Sequence, residues 1–313
     1  MVSVVFFLVV LSGMEYNYTG MILFKETIEI KARNKNMKFT KMQGCGNDYV
    51  YVNGMAETVL NKAEIIPALS DRHFGIGGDG VIFINKGVNA DFEMEMYNAD
   101  GSRSQMCGNG IRCVGKFVYD KGLTDQKEIT VESFGAVKYL TLTVGDDNKV
   151  TKVKVDMDEP ELQASKVPVV CEDEQAVKVP VEINGKKYEM TCVSMGNPHA
   201  VIFVDDITDD MVWTDGKALE VHPCFPERAN IEFVQVINRN HIKMRVWERG
   251  SGETFACGTG SCACVVAGVL NGLTDRNVTV SLLGGDLDIE WNAENNRVYM
   301  TGPAVTVFEG EII

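Results

Sequence analysis

The sequence has few basic residues for its length. In 313 residues, 30 Lys and Arg stand against 44 Asp and Glu, which gives a formal net charge of −14. A surface of that sign repels phosphate backbones and anionic lipid headgroups, so we expect neither a nucleic-acid nor a membrane partner. The glycine-rich GIGGDG at 75–80 is not followed by Lys-Ser or Lys-Thr and lacks the dinucleotide-binding context, so it indicates no nucleotide cofactor.

Long hydrophobic runs and a disulfide framework are also missing. The apolar MVSVVFFLVVLSG at 1–13 is too short to span a bilayer, and it has neither a basic residue before it nor an A-x-A cleavage site. We therefore expect residues 1–36 to be an N-terminal extension and Met37 to be the initiator, with a secretory signal as the alternative. Nine cysteines are an odd, scattered set that fits reduced thiols and a cytoplasmic location.

The chain has the composition of a folded protein in water, with 45% hydrophobic and 24% charged residues. Its length predicts two domains or one large unit. From Met37 onward, short strand patterns alternate with Gly, Asn and Asp turns; in one of them Phe92, Met94 and Met96 alternate with glutamates. This pattern predicts an α+β fold in which sheets are covered by a few helices.

An internal repeat organises the chain. DFEMEMYNADGSRSQMCGNGIRC from Asp91 aligns without a gap with HIKMRVWERGSGETFACGTGSCA from His241, at an offset of 150. Each copy has an alternating strand, a polar loop, and then Cys-Gly-x-Gly at the start of a predicted helix. The helices are expected to end at Gly122 and Gly272. In the second helix, apolar residues predict one buried face, formed by Cys262, Val265, Val266, Val269 and Leu270.

The repeat singles out Cys107 and Cys257. Unpaired N–H groups and the positive end of the helix dipole stabilise a thiolate at a helix N-terminus, so we expect lowered thiol pKa values. The adjacent glycines leave the same N–H groups open to a ligand carboxylate. Two such thiols on opposite faces of a bound amino acid would remove the α-proton from one face and return it to the other. The alternative is two buried, inert cysteines.

Four motifs resemble the diaminopimelate epimerase family: GCGNDY at 44–49, NADGSRSQMCGNGIRC at 98–113, MGNPHAV at 195–201 and ERGSGETFACGTGSC at 248–262. The resemblance implies two pseudo-symmetric domains, each a mixed sheet or barrel around a central helix, with the active site in the cleft between them. We place the domains at 37–152, with a returning strand at 303–313, and at 153–302.

The resemblance also implies an activity. It is the cofactor-independent conversion of LL-diaminopimelate to the meso isomer, for lysine and peptidoglycan precursors, by a homodimer. Cys107 and Cys257 are its acid and base, and His199 and Glu248 assist them. Substrate contacts are expected from Asn47, Asn98, Gly108, Asn109, Asn197, Asn230, Glu248, Arg249, Gly258 and Thr259. Two departures from the family pattern are Gln43, where many members have His, and Gly80, where some have a substrate-contacting Gln.

Other functions remain open at this point. A proline or hydroxyproline racemase also uses two cysteines, but Asn109 and the ERG sequence at 248–250 favour a substrate with a distal zwitterion. A related carbon-skeleton isomerase usually lacks one of the cysteines. A redox or metal-binding protein is the non-enzyme alternative; Cys113, Cys262 and Cys264 lack the usual zinc-ligand spacing, so no metal is expected.

Overall fold

A computed structural model describes residues 36–104 and 106–312. The predicted extension at 1–36 therefore lies, except for its last residue, outside the described residues. None of the helices within the described ranges is long and apolar enough to cross a membrane.

The described part of the first half contains eight strands and two helices. They are β1 (Lys38–Gly44), β2 (Asn47–Asn53), α1 (Lys62–Ser70), β3 (Gly80–Lys86), β4 (Phe92–Asn98), β5 (Arg103–Ser104), α2 (Gly108–Asp120), β6 (Glu128–Ser133), β7 (Ala136–Val144) and β8 (Val150–Asp156).

The second half repeats this order after one additional strand at its start. Its elements are β9 (Val179–Ile183), β10 (Lys186–Ser194), β11 (Pro198–Phe203), a π-helical segment (Met211–Gly216), α3 (Lys217–Glu220), β12 (Asn230–Asn238), β13 (His241–Glu248), β14 (Gly252–Glu253), α4 (Gly258–Leu270), β15 (Asn277–Leu282), β16 (Gly285–Trp291) and β17 (Val298–Pro303). A last strand, β18 (Val305–Glu311), follows.

The strand pairings repeat in the same order in both halves. In the first half β1 and β2 are antiparallel, β2 and β3 parallel, β3 and β4 antiparallel, and β4 and β6 parallel. In the second half β10 to β13 and β15 follow the same sequence of directions. The outer strands correspond too, because β18 pairs with β1 and β9 pairs with β10. The expected α+β class and its two similar halves are confirmed.

The two halves join through one antiparallel pair, β8 with β17. β8 runs across the predicted boundary at 152/153 and also pairs with β7. The division into 37–152 and 153–302 therefore stays a prediction. The 159–175 segment between β8 and β9 is irregular apart from two isolated bridges.

Each half wraps its sheet around one helix. α2 contacts β1, β2, β7 and β8, and α4 contacts β10, β11, β12 and β16. As a result every residue from Asn109 to Val118 in α2, and from Gly260 to Gly268 in α4, is buried. The prediction of a single buried face on α4 was wrong, because strands surround the helix and the predicted stripe residues Val269 and Leu270 are its more exposed end.

Both helices end as the sequence predicts. Gly122 and Gly272 have φ values of 69° and 72°, a left-handed conformation that suits glycine. The amide of the next residue bonds back to the final helical turn in each case, from Leu123 to Val118 and from Leu273 to Gly268. These equivalent endings give the two helices the same length of 13 residues.

Candidate active site

The N-termini of α2 and α4 meet at the centre of the molecule. A Cβ atom placed on Gly258 would lie 3.6 Å from Cα of Gly108, so the two first turns are in close approach. Cys107 and Cys257 are the N-cap residues of these helices. Each sulfur accepts a hydrogen bond from the amide three residues later, Gly110 at 3.3 Å and Gly260 at 3.4 Å. The repeat therefore places both thiols at facing, electropositive helix ends.

The last glycine of each Cys-Gly-x-Gly packs closely against a side chain of the sheet. A Cβ on Gly110 would lie 2.9 Å from Cδ1 of Ile82, and a Cβ on Gly260 would lie 2.7 Å from Oε1 of Glu232. A side chain at either position would therefore displace Ile82 or Glu232. The same lack of side chains leaves the backbone N–H groups of the first turns uncovered by their own residues, which favours anion binding there.

Cys107 lies in a polar and partly exposed environment. Its thiol donates to Oδ1 of Asn47 over 3.1 Å, and Nδ2 of Asn47 donates to Oδ2 of Asp79 over 2.6 Å. Asp79 also accepts from Arg72, so the amide of Asn47 is held in one orientation by a charged network. Asn47 is thus brought directly to the first thiol.

Cys257 is more deeply buried, with 6% of its surface exposed. Its sulfur lies 3.5 Å from the hydroxyl of Thr259. A ring nitrogen of His199, a carboxylate oxygen of Glu232 and the sulfur of Cys257 all lie within 4.8 Å of one another. Nδ1 of His199 is 2.6 Å from Oε1 of Glu232, and Nε2 is 3.1 Å from Oδ1 of Asn197.

The prediction of lowered thiol pKa values was wrong. Burial raises the pKa of Cys107, although hydrogen bonds from the amides of Gly110 and Asn109 act in the opposite direction. Burial also raises the pKa of Cys257 well above its ordinary value, and the negative charges of Glu248 and Glu232 add to this increase. Removing a thiolate from water is more unfavourable here than the helix N-terminus is favourable.

Glu248 influences both thiols. It ends β13 and is partly buried, with its carboxylate accepting a hydrogen bond from the hydroxyl of Thr254. Burial raises the pKa of Glu248, and its charge contributes to the raised pKa of both Cys107 and Cys257. A glutamate with this coupling fits the assisting role expected of it.

Asn109 and Asn230 are buried and tie loops together. Nδ2 of Asn109 donates to the carbonyl of Ala256 over 3.0 Å, which connects the first helix start to the second. Nδ2 of Asn230 donates to the carbonyl of Pro198, and Oδ1 accepts from the amide of Arg249. Asn109 therefore fixes the backbone next to both thiols, and Asn230 fixes the backbone next to His199 and Glu248.

Arg249 and Asn98 make local hydrogen bonds next to the ends of β13 and β4. Arg249 is exposed, and its guanidinium donates to the carbonyl of Glu227 over 3.1 Å. Asn98 ends β4 and donates to the hydroxyl of Ser102 over 3.0 Å. Their predicted contacts with substrate stay predictions.

The two departures from the family pattern have local roles. Oε1 of Gln43 accepts a hydrogen bond from the amide of Gly46 across the β1–β2 turn. A Cβ on Gly80 would lie 2.0 Å from the carbonyl oxygen of Tyr97, so this backbone admits no side chain there. A contact like that of the family glutamine is therefore absent from position 80.

The remaining thiols do not form a metal-binding group in the part of the chain that the structure describes. Cys113 lies on α2, whereas Cys262 and Cys264 lie on α4, and none of the three belongs to a cluster of metal-ligating side chains. All nine cysteines are free. The thiol of Cys264 instead contacts the sulfur of Met244 at 3.3 Å.

Two functional candidates were not predicted from the sequence. Glu232 is fully buried beside His199, and Arg112 is fully buried in α2. The guanidinium of Arg112 donates to Oδ1 of Asn109 and to the carbonyls of Gly108 and Pro303. Each is a charged residue inside an otherwise apolar strand or helix, and this pattern could have marked both as candidates. The sequence alone does not give the partner of either.

Known proteins resemble this chain along most of its length. The family model described as "Diaminopimelate epimerase" matches residues 39–163 and 191–307. The chain is 57% identical over 276 residues to the diaminopimelate epimerase of Acetivibrio thermocellus, covering 88% of this chain and 98% of that protein. It is 55% identical over 283 residues to the diaminopimelate epimerase of Agathobacter rectalis, covering 88% and 99%.

A solved structure with low sequence identity supports the fold alone. A hydroxyproline epimerase from Agrobacterium vitis superposes with a TM-score of 0.62 at 13% identity, covering 89% of this chain and 91% of that one. The much higher identity to the epimerases above, together with a family match in both halves, decides the family. The chain belongs to the diaminopimelate epimerase family.

Proposed function

We propose that this protein is an isomerase that converts LL-diaminopimelate to meso-diaminopimelate, with Cys107 and Cys257 as its acid and base. The observation that carries the proposal is the meeting of two equivalent helix N-termini, each capped by a cysteine. The close relatives carry the same activity in their names.

The proton transfers follow from two thiols on opposite faces of one carbon. One cysteine reacts as a thiolate: the α-C–H bond breaks and an S–H bond forms. The other cysteine, a thiol, gives its proton to the opposite face, so its S–H bond breaks and a new C–H bond forms. Nothing is oxidised or reduced, and the two cysteines exchange roles for the reverse direction. They titrate as one coupled pair.

The carbanion-like transition state needs its charge stabilised. Electron density from the broken C–H bond moves toward the substrate carboxylate, which we place against the N–H groups of Gly108, Asn109, Gly258 and Thr259. Two helix dipoles point their positive ends at this position. Because the donors are fixed before substrate binds, little reorganisation accompanies the reaction.

The distal end of diaminopimelate is a second zwitterion. Arg249 is suited to pair with its carboxylate in a bidentate manner, and Glu248 is suited to accept from its ammonium. We assign the remaining polar contacts to side-chain amides around the thiols, those of Asn47, Asn98, Asn197 and Asn230. His199 and Glu248 are proposed to assist proton transfer.

The cellular setting is part of the same proposal. Free thiols at the reaction centre require a reducing compartment, which supports a cytoplasmic enzyme. The product would serve lysine and peptidoglycan precursor synthesis. We also propose a homodimer, as in the family that the sequence resembles. We propose no cofactor, because the described residues supply both the base and the acid.

The test is incubation of the purified enzyme with LL-diaminopimelate in D2O, with EDTA and without pyridoxal phosphate. We expect inversion and deuterium at the α-carbon, and neither with L-proline. Cys107→Ala and Cys257→Ala should each abolish inversion, whereas Cys171→Ala, which changes a thiol outside the site, should not. Inversion of L-proline alone would favour the racemase alternative, and near-normal inversion by both alanine variants would reject the two-thiol mechanism.

A further inference from the structure

The two halves of the molecule are equivalent in strand register but differ in the side chains behind their thiols. In the parallel pairs β2–β3 and β11–β12, Val50 lies opposite Val81 and Ala200 lies opposite Ile231, which preserves the offset of 150. The next strands keep it as well, since Ile82 lies opposite Met96 and Glu232 opposite Val246. His199 and Glu232 therefore occupy the places of Tyr49 and Ile82.

Packing does not require a carboxylate at position 232. In each half this side chain lies against the last glycine of Cys-Gly-x-Gly, within 3 Å of where a Cβ would be on Gly110 or Gly260. The first half fills the place with the buried, aliphatic Ile82. Since the first half accepts an apolar residue at the equivalent place, packing does not explain the presence of Glu232 in the second half.

Glu232 is an unfavourable residue for this location unless it has a role. It is fully buried, Oε1 is bonded to His199, and Oε2 has no hydrogen-bond partner among the described atoms. Removing a carboxylate from water is strongly unfavourable when its hydrogen bonds are only partly replaced. Unsatisfied buried groups of this kind concentrate at functional sites.

The carboxylate fixes the histidine ring. An ionised carboxylate only accepts hydrogen bonds, so the contact with Glu232 places a proton on Nδ1 of His199. The other nitrogen, Nε2, faces the amide of Asn197, which can present either its oxygen or its nitrogen. Nε2 can therefore gain or lose a proton without losing its partner, and the ring stays beside Cys257.

We propose that Glu232 is a positioning residue that holds His199 for proton transfer at Cys257. This inference rests on the proposed function and adds a residue to it. It also makes the two thiols unequal: a buried His–Glu pair supports Cys257, whereas Tyr49 and Ile82 occupy the equivalent places behind Cys107.

The charge of Glu232 provides a distinctive readout. The titratable groups around the Cys257 thiol are Glu232, Glu248, His199 and Cys264. Glu232 raises the pKa of Cys257. Removing that negative charge makes the Cys257 thiol easier to ionise, so the acidic limb of the pH–rate profile should move to lower pH. The rate itself should fall, because His199 is no longer held in position.

The experiment measures kcat, KM and pH profiles in both directions for Glu232→Gln and Glu232→Ile. Glutamine keeps the shape of the side chain, and isoleucine is the residue that the first half already accommodates. Asp215→Asn is the matched control, because Asp215 is a buried carboxylate of the second half that pairs with Lys186 away from the thiols. Thermal melts establish that each variant is folded.

We expect Glu232→Gln to lower kcat at least about tenfold, with KM within about threefold and the acidic limb shifted to lower pH. Glu232→Ile should lower kcat at least as much, and Asp215→Asn should leave the limb in place. A kcat within twofold of wild type in Glu232→Gln, or a lower kcat without a shifted limb, would overturn the inference. Failure of the wild-type enzyme to invert diaminopimelate would instead reject the proposed function.

Discussion

Two opposing effects set the reactivity of each cysteine. The helix N-terminus supplies N–H donors to the sulfurs of Cys107 and Cys257, while burial removes the water that would otherwise solvate a thiolate. Burial is the largest influence on both pKa values, and nearby glutamates act in the same direction. The free enzyme therefore holds its thiols mainly protonated at neutral pH, and ionisation depends on the charges around them.

Glu248→Gln should make Cys107 easier to ionise. Glu248 raises the pKa of Cys107 by its negative charge, so its removal lowers the pH at which the thiolate forms. The measurement is the rate of iodoacetamide labelling of Cys107 against pH, followed by peptide mass spectrometry, with Cys107→Ala to assign the peptide. A midpoint that stays in place or rises would contradict this electrostatic effect.

The sequence was sufficient to predict that Cys107 and Cys257 stand at equivalent helix starts, because the repeat places each at the same position before a glycine-rich segment. It was insufficient for Glu232. The stretch from Asn230 onward reads as a strand, and a strand pattern does not reveal which residue of a parallel neighbour lies beside it. His199 is 33 positions away in the chain, and only the register of β11 with β12 brings the two together.

The two helix starts that meet inside the sheet leave little room for added atoms. A Cβ on Gly258 would lie 3.0 Å from Sδ of Met300 and 3.6 Å from Cα of Gly108. We expect Gly258→Ala to displace the Met300 side chain, to place a methyl group against the first turn of α2, and to lower kcat by about tenfold or more, since small misplacements of reacting groups have effects of that order.

The control for this prediction is Gly122→Ala. Gly122 has a φ of 69° and no neighbour within 4 Å of a Cβ, so alanine there introduces backbone strain alone. We expect it to lower the free energy of unfolding by about 1 kcal/mol without changing kcat. Steady-state kinetics and urea unfolding of both variants provide the comparison; equal losses of kcat would contradict the role of helix contact.

Arg112 anchors α2 to the end of β17. Its guanidinium bonds the carbonyls of Gly108 and Pro303, and its positive charge lowers the pKa of Cys107. Arg112→Met should therefore destabilise the fold by about 3 kcal/mol and raise the pKa of Cys107. Urea unfolding and the labelling profile measure the two effects. Arg112→Lys, which keeps the charge, should restore the pKa; failure to do so would contradict the electrostatic part.

The two halves share the largest hydrophobic cluster among the described residues, while each also has a smaller cluster of its own. The shared cluster contains Tyr51 and Val114 from the first half together with Val265 and Ile289 from the second. The sheet is continuous as well, because β8 pairs with β17 across the junction. The halves are therefore structurally similar but not independent of each other.

A shared core predicts cooperative unfolding. We expect one calorimetric transition, coincident with the change in tryptophan fluorescence and far-UV circular dichroism, because exposing either half uncovers apolar surface of the other. Two resolved transitions, or curves that differ between the probes, would contradict a single cooperative unit. Cys171→Ala is a suitable reference variant because this thiol lies outside the large cluster.

The general architecture was predictable because repetition, alternation and glycine turns are local patterns. These local patterns predict both ends of the strand at 241–248 and the glycines that end the two central helices. The complete burial of α4 does not, because its surroundings come from strands on both sides of it in the chain. The junction of β8 with β17 is likewise set by long-range pairing rather than by a motif.

β1 pairs with two strands that lie far apart in the chain. β2 follows it directly, whereas β18 comes more than 250 positions later. The pairing of β1 with β18 runs from Lys38 opposite Glu311 to Gln43 opposite Val305. On the ribosome, β1 must therefore wait for β18, which is made much later. Until then β1 presents an unpaired edge, which is a site for incorrect association with other chains. The second half has no such delay, because β9 and β10 are adjacent hairpin strands. Vectorial synthesis would thus complete the second half of this protein before the first.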